Sequence, residues 1–175
     1  NGLAEVSVNA ITEYTAMGGG PRYDIVGEVN DRVLFFDVDL NLNRVGNYLW
    51  LDIDNDPVTQ ETAIDIVFDN QDNTFVIAGN IFQPSLSDPN GPITLPTNRI
   101  FVSKMNLQGQ VQWTNIYNIP GGGESVRELH VNAKQEIVIT GSCESPEGFV
   151  VVGGPRNDIS YLLKTAKDGA FLWAN

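Results

Sequence analysis

All three tryptophans of the chain stand in one local word, Gly-x-x-x-Trp: Gly46 to Trp50, Gly109 to Trp113 and Gly169 to Trp173. The first two tryptophans lie 63 positions apart and the last two 60. Other residues keep the same phase. Pro57 and Pro120 follow the first two tryptophans at equal distance, as do Glu61 and Glu124, which open the strings Glu61-Thr62-Ala63-Ile64-Asp65-Ile66 and Glu124-Ser125-Val126-Arg127-Glu128-Leu129. An Ile-x-Gly word recurs at Ile25-Val26-Gly27, Ile77-Ala78-Gly79 and Ile139-Thr140-Gly141. A period of this length marks consecutive structural units, none of which buries its own faces alone.

Three units follow, at about 1–52, 53–117 and 118–175. β-Branched and aromatic runs punctuated by Gly, Pro, Asn and Asp make each of them all-β, and each reads as four short antiparallel strands. In the second unit the strands fall near 61–68, 74–81, 99–106 and 113–117. The third repeats them near 124–131, 136–143, 158–165 and 170–173. The first is looser, near 5–11, 22–29, 32–40 and 47–52, and inserts Asn41 to Val45 before its glycine. Radial stacking of such sheets hides their faces, with one large aromatic per unit wedged between neighbours. The fold class expected is therefore all-β, as three four-stranded blades of β-propeller type, with a stacked solenoid as the competing architecture. Trp50 and Trp113 are expected to be largely buried between sheets.

The stretch from Tyr161-Leu162-Leu163-Lys164 through Asp168-Gly169-Ala170-Phe171-Leu172-Trp173, and its near copy from Phe101-Val102-Ser103-Lys104 to Trp113, resembles the β-propeller repeats of bacterial secreted and surface proteins, common in Bacteroidetes-like organisms. The resemblance covers the whole chain. It implies architecture and an extracellular or cell-surface address rather than an activity. The start at Asn1, without methionine, leads us to expect a processed product or a segment of something longer. The same word is also similar to the tryptophan-docking blades of quinoprotein dehydrogenases, whose complete ring holds a quinone over calcium. Three blades do not form that pocket.

Charge narrows the partners. With 22 acidic against 10 basic residues the formal net charge is -12, which repels phosphate backbones and argues against nucleic acid. No apolar run approaches the roughly 18 residues of a membrane helix. One cysteine, Cys143, excludes an intrachain disulfide and a multi-cysteine metal site, and one histidine, His130, leaves little imidazole chemistry. His130 stands where the neighbouring repeat has Val67 and is expected to be a packed or rim residue. Gly121-Gly122-Gly123 precedes a strand rather than a helix, so it does not read as a phosphate loop.

Asp52, Asp54 and Asp56 are the candidate metal ligands. Their alternation is that of the first carboxylates of a calcium loop, although Pro57 and Ala63 stand where such a loop has glycine and glutamate. Without an ion, the three should point to solvent or cap neighbouring amides. Asp37, Asp39, Asn41 and Asn43 alternate with apolar residues, as on an exposed face of the third strand. No spacing singles out a carboxylate pair for glycoside hydrolysis.

The connections between second and third strands vary from Asn30-Asp31 to about Phe82–Asn98 and Glu144–Asn157, and such loops are where specificity resides on a regular scaffold. The function expected is a non-catalytic extracellular scaffold, self-assembly or interaction module, including filament or surface-layer roles. It would contact further blades, copies of itself or a surface protein. The alternative is a ligand- or glycan-binding propeller using the long loops with calcium, and a fragment of a quinoprotein-like enzyme comes third. Cofactors other than calcium are not expected. Closed propellers have about four to eight blades, so three leave sheet faces for something else to cover.

Overall fold

The computed structural model describes residues 6–15, 20–84, 97–118, 123–143 and 159–175. The middle parts of the expected long loops, Pro120 and most of the Gly121–Gly123 run lie outside these, while Phe82, Gln83, Thr97 and Asn98 belong to strands. The described residues form twelve strands and no helix: β1 (Val6–Thr15), β2 (Pro21–Val29), β3 (Arg32–Asp39), β4 (Arg44–Leu51), β5 (Gln60–Asp69), β6 (Thr74–Gln83), β7 (Thr97–Asn106), β8 (Val111–Tyr117), β9 (Ser125–Val131), β10 (Ile137–Cys143), β11 (Ile159–Thr165) and β12 (Phe171–Ala174). They make three four-stranded antiparallel sheets, β1–β4, β5–β8 and β9–β12, each in sequence order.

Turn chemistry sets the strand boundaries. Asn30 and Asp31 both have positive φ, 47° and 62°, as a two-residue hairpin with the twist of its strands requires. The third-to-fourth strand turns are built alike in all three sheets. The amides of Leu42, Gly109 and Gly169 donate to the carbonyls of Asp39, Asn106 and Ala166, each at 2.9 Å. Oδ1 of Asp39 accepts the amides of Asn41 and Asn43, and Oδ1 of Asn106 those of Gln108 and Gln110. Gly109 and Gly169 sit at φ 74° and 78°, and Leu42 takes the same place at φ 61°.

The repeat word is therefore out of phase in the first sheet. Trp113 and Trp173 pair with Lys104 and Lys164, whereas Trp50 pairs with Leu34, the place that Ile116 holds opposite Phe101. Gly46 lies within β4, beside a bulge between the pairs Asp37–Val45 and Phe35–Leu49. The local spacing from Gly46 to Trp50 is a coincidence of letters, and the insertion before Gly46 is what displaces it.

The Ile-x-Gly word does keep its phase. Gly27, Gly79 and Gly141 each lie where the first strand of the sheet bulges, and a β-carbon there would collide with the carbonyl oxygen of Ser7, Thr62 or Ser125. Only glycine allows so close a backbone approach.

Sheet two is covered on both faces. Phe75, Ile77, Ile81 and Phe101 pack with Val26, Val33, Phe35 and Leu51 of sheet one. The alternate residues Val76, Ala78, Ile100 and Val102 pack with Val126, Leu129, Ile139, Tyr161 and Leu163 of sheet three. This explains the unbroken apolar run Phe75–Ala78: alternation vanishes when both faces are buried. Each such large side chain contributes about 1.5–3 kcal/mol. The sheets meet mainly along their first strands, β5 against β1, β2 and β3, and β9 against β5, β6 and β7. Side chains tie the seams: Asn9 donates to the carbonyl of Ala63 at 2.7 Å, and Asn80 and Asp65 accept the amides of Val126 and Leu129 at 2.9 and 2.8 Å.

Candidate functional site

The acidic connection between β4 and β5 folds around a buried carboxylate. Glu61 is fully buried, and its Oε1 accepts the amides of Ile53 at 2.7 Å and Asp54 at 3.1 Å. Burial pushes its pKa up, while those two amide bonds and Arg32 pull it down. The three aspartates accept neighbouring backbone amides. Asp52 accepts the amide of Asn55, Asp54 accepts the amide of Asp56 and the hydroxyl of Thr59, and Asp56 accepts the amide of Val58.

As a cation site the fold assembles a different trio. Carboxylate oxygens of Asp52, Asp54 and Glu61 lie within 4.8 Å of one another, without Asp56. A cation is already there: Arg32 Nη1 stands 3.0 Å from Asp52 and 3.5 Å from Glu61. Arg99 takes the second oxygen of Asp54 at 3.0 Å. The parts of Glu61 and Arg32 in this cluster were invisible to local spacing. The repetition of Glu61 as Glu124, also fully buried, was the signal that this carboxylate serves the fold.

The other predicted residues separate. Pro57 is exposed in the connection. Trp113 is half-buried at the seam with sheet three, whereas Trp50 is 57% exposed and Trp173 40% exposed. The expectation that Trp50 is buried between sheets is thus corrected: its strand register turns it to the outer face of sheet one. His130 is exposed on β9, and Cys143 is buried at the end of β10. Asp37 does not lie on an exposed face; it faces sheet two and pairs with Arg22 at 3.2 Å.

The outer face of sheet one is an apolar surface that no described residue covers. It carries Val8 (60% exposed), Ile11 (57%) and Trp50, beside Tyr48, whose ring stands edge-on to Phe36 at 5.3 Å. The pairing register translates this face into the other sheets. Val8, Ile11, Ile25 and Leu34 correspond to Ala63, Ile66, Ile77 and Phe101 of sheet two, and to Val126, Leu129, Ile139 and Tyr161 of sheet three. Those eight counterparts are all buried against the preceding sheet.

The opposite end differs. Sheet two meets sheet three with Ile64, Val67, Ala78 and Ile100, whereas the same positions on the outer face of sheet three are Arg127, His130, Thr140 and Ser160. Val76, Val102 and Trp113 of that seam keep apolar counterparts in Val138, Leu162 and Trp173, so the outer face of sheet three is mixed where that of sheet one is apolar. No protein-family model matches the chain, and no curated protein matches its sequence.

Proposed function

We propose that the chain is a non-catalytic interaction module of β-propeller type, and that the outer face of sheet one receives a further four-stranded sheet. One observation carries this reading. The residues on that face occupy the repeat positions at which sheets two and three dock on their predecessors. Leaving Val8 and Ile11 in water forfeits the burial that their counterparts enjoy, Trp50 widens the same face from the place of the exposed Ile116, and patches of this kind mark association surfaces. An extracellular or cell-surface address belongs to the same proposal and rests on the likeness to bacterial surface repeats.

Arg127 and His130 on the outer face of sheet three bear on how copies join. A head-to-tail filament would bury Arg127 and His130, which is costly unless each is paired. Two copies meeting at their sheet-one faces make a self-complementary contact that closes at a dimer. Light scattering of the 175-residue chain over a wide concentration range tests this. A concentration-dependent dimer, returned to monomer by Trp50→Glu with Val8→Glu, is the expected result. A monomer of 19.2 kDa at every concentration overturns self-association through this face.

A further inference from the structure

Two departures from the repeat coincide at the seam between sheets one and two. The first is an acid pair. Asp24 on β2 lies directly opposite Asp37 on β3, where the other sheets pair Val76 with Lys104 and Val138 with Lys164. Asp24 is 1% exposed, and its Oδ2 has no hydrogen-bond partner. The second is the bulge in β4 at Gly46 and Asn47, where four residues of β4 span two of β3; sheets two and three have a smaller shift one pair further along, at Lys104/Met105 and Lys164/Thr165.

Together they line one cavity of about 270 Å³, closed on the far side by Leu107, Gln108 and Gly109 of sheet two and walled by Phe35 and Leu49. At the same place in sheet two the residue is Val76, fully buried in the seam with sheet three. A buried carboxyl facing a cavity, with an unpaired oxygen, costs stability unless something pairs with it.

We propose that this cavity binds a small primary alkylammonium, with the ammonium held by Asp24 and Asp37 and the alkyl part against Phe35 and Leu49. Three donors on a compact charged head match two carboxylates. The absence of side chains at Gly46 and Gly109 leaves the cavity its width. Arg22 already pairs with Asp37, so Asp24 supplies the unmatched negative charge.

Proton release accompanies binding. Burial first, and the charge of Asp37 second, push the Asp24 pKa up to about 8, against a smaller lowering by Arg22. The charged or titratable groups facing it are Tyr14 from β1, Arg22 from β2 and Asp37 from β3. The lining from β4 and sheet two is uncharged. At neutral pH Asp24 therefore holds a proton until an ammonium displaces it.

Amide-resolved NMR of the full chain tests the site with n-butylammonium, and with a lysine-bearing dipeptide to tell a free amine from a protein side chain. Saturable shifts at Gly46, Asn47, Gln108 and Gly109 by either probe are expected. Affinity should rise about tenfold per pH unit on the acid side of the Asp24 pKa. Asp24→Asn should weaken binding at least about tenfold, the loss of one charge pair. Asp24→Val restores the residue of the other repeats, so it should fold and bind nothing. Shifts that sodium chloride reproduces, a response to calcium but not to amines, or binding that survives Asp24→Val would each overturn the proposal.

Discussion

Gly169 rests directly on the indole of Trp113, so that a β-carbon on the glycine would come within 2.8 Å of Cζ3 of the ring. The hydroxyl of Tyr117 donates to the carbonyl of the same glycine at 2.6 Å. Glycine and tryptophan, four letters apart in the repeat, act on each other across units: the glycine of one sheet is seated on the tryptophan of the sheet before. At the first seam Gly109 is seated on Leu49 instead.

Gly169→Ala should therefore lower stability by about 1–3 kcal/mol, adding overpacking to the strain of a β-carbon at φ 78°. Urea unfolding measures it. The β-carbon would also meet Nδ2 of Asn115, which lies closer than the ring, so the loss should shrink in part in a Trp113→Ala background and further when Asn115→Ala is added. Trp50→Ala should cost the monomer under about 1 kcal/mol, as an exposed residue does.

Leu42→Gly should stabilise the chain by about 0.5–1 kcal/mol, since a leucine that is 75% exposed holds a left-handed conformation which glycine adopts freely. A higher thermal midpoint checks it. An unchanged or lower midpoint would mean that the first turn tolerates leucine for a reason beyond its backbone.

Glu61→Ala should cost about 3–5 kcal/mol, because it strips Ile53 and Asp54 of their acceptor and leaves Arg32 short of a buried partner. Glu61→Gln keeps an acceptor at the same place and should cost less. The order of the two urea midpoints is the observable.

Calcium should leave the thermal midpoint within error. Arg32, Arg99 and backbone amides already hold the oxygens of Asp52, Asp54 and Glu61. A rise of several degrees at millimolar calcium, abolished by Asp54→Asn, would show that the ion outcompetes them.

The Asp24 carboxyl gives stability a pH dependence of definite sign. Its folded pKa, about 8, lies above the unfolded value, so its contribution is fully present below about pH 4 and is lost as pH rises through about 8. The loss is on the order of a few kcal/mol. Asp39, Asp72 and Glu136, held low by their hydrogen bonds and by Arg22 or lysine neighbours, act in the opposite sense and remain in any variant. The measurement is therefore the difference between the parent and Asp24→Asn, which should be less stable at pH 5 relative to pH 9 than its parent is.

Strand positions were legible because turn residues and apolar runs are local signals, and the sheets begin and end within a few residues of the expected places. The first strand is the exception: β1 continues to Thr15, past its expected end at Ile11, paired along its length with β2. Register was less legible. Gly46 and Trp50 imitate a spacing whose structural counterpart begins at Leu42, and only hydrogen-bond pairing separates the two. Asp37 misled for a related reason, because alternation assigns residues to faces without saying which face is covered. The Asp24 cavity needs a bulge on β4, an acid on β2 and a turn from another sheet, and no short window contains all three.

Because sheet two has no face in water, the stack cannot lose its middle while keeping its ends. Releasing Phe75 or Val76 opens one seam each, and unfolding β6 opens both. Sheets one and three are each held through one described seam, so either can detach while the other stays joined to sheet two. The molecule comes apart from its ends inward, one seam at a time, and sheet two is the last to lose cover on both faces.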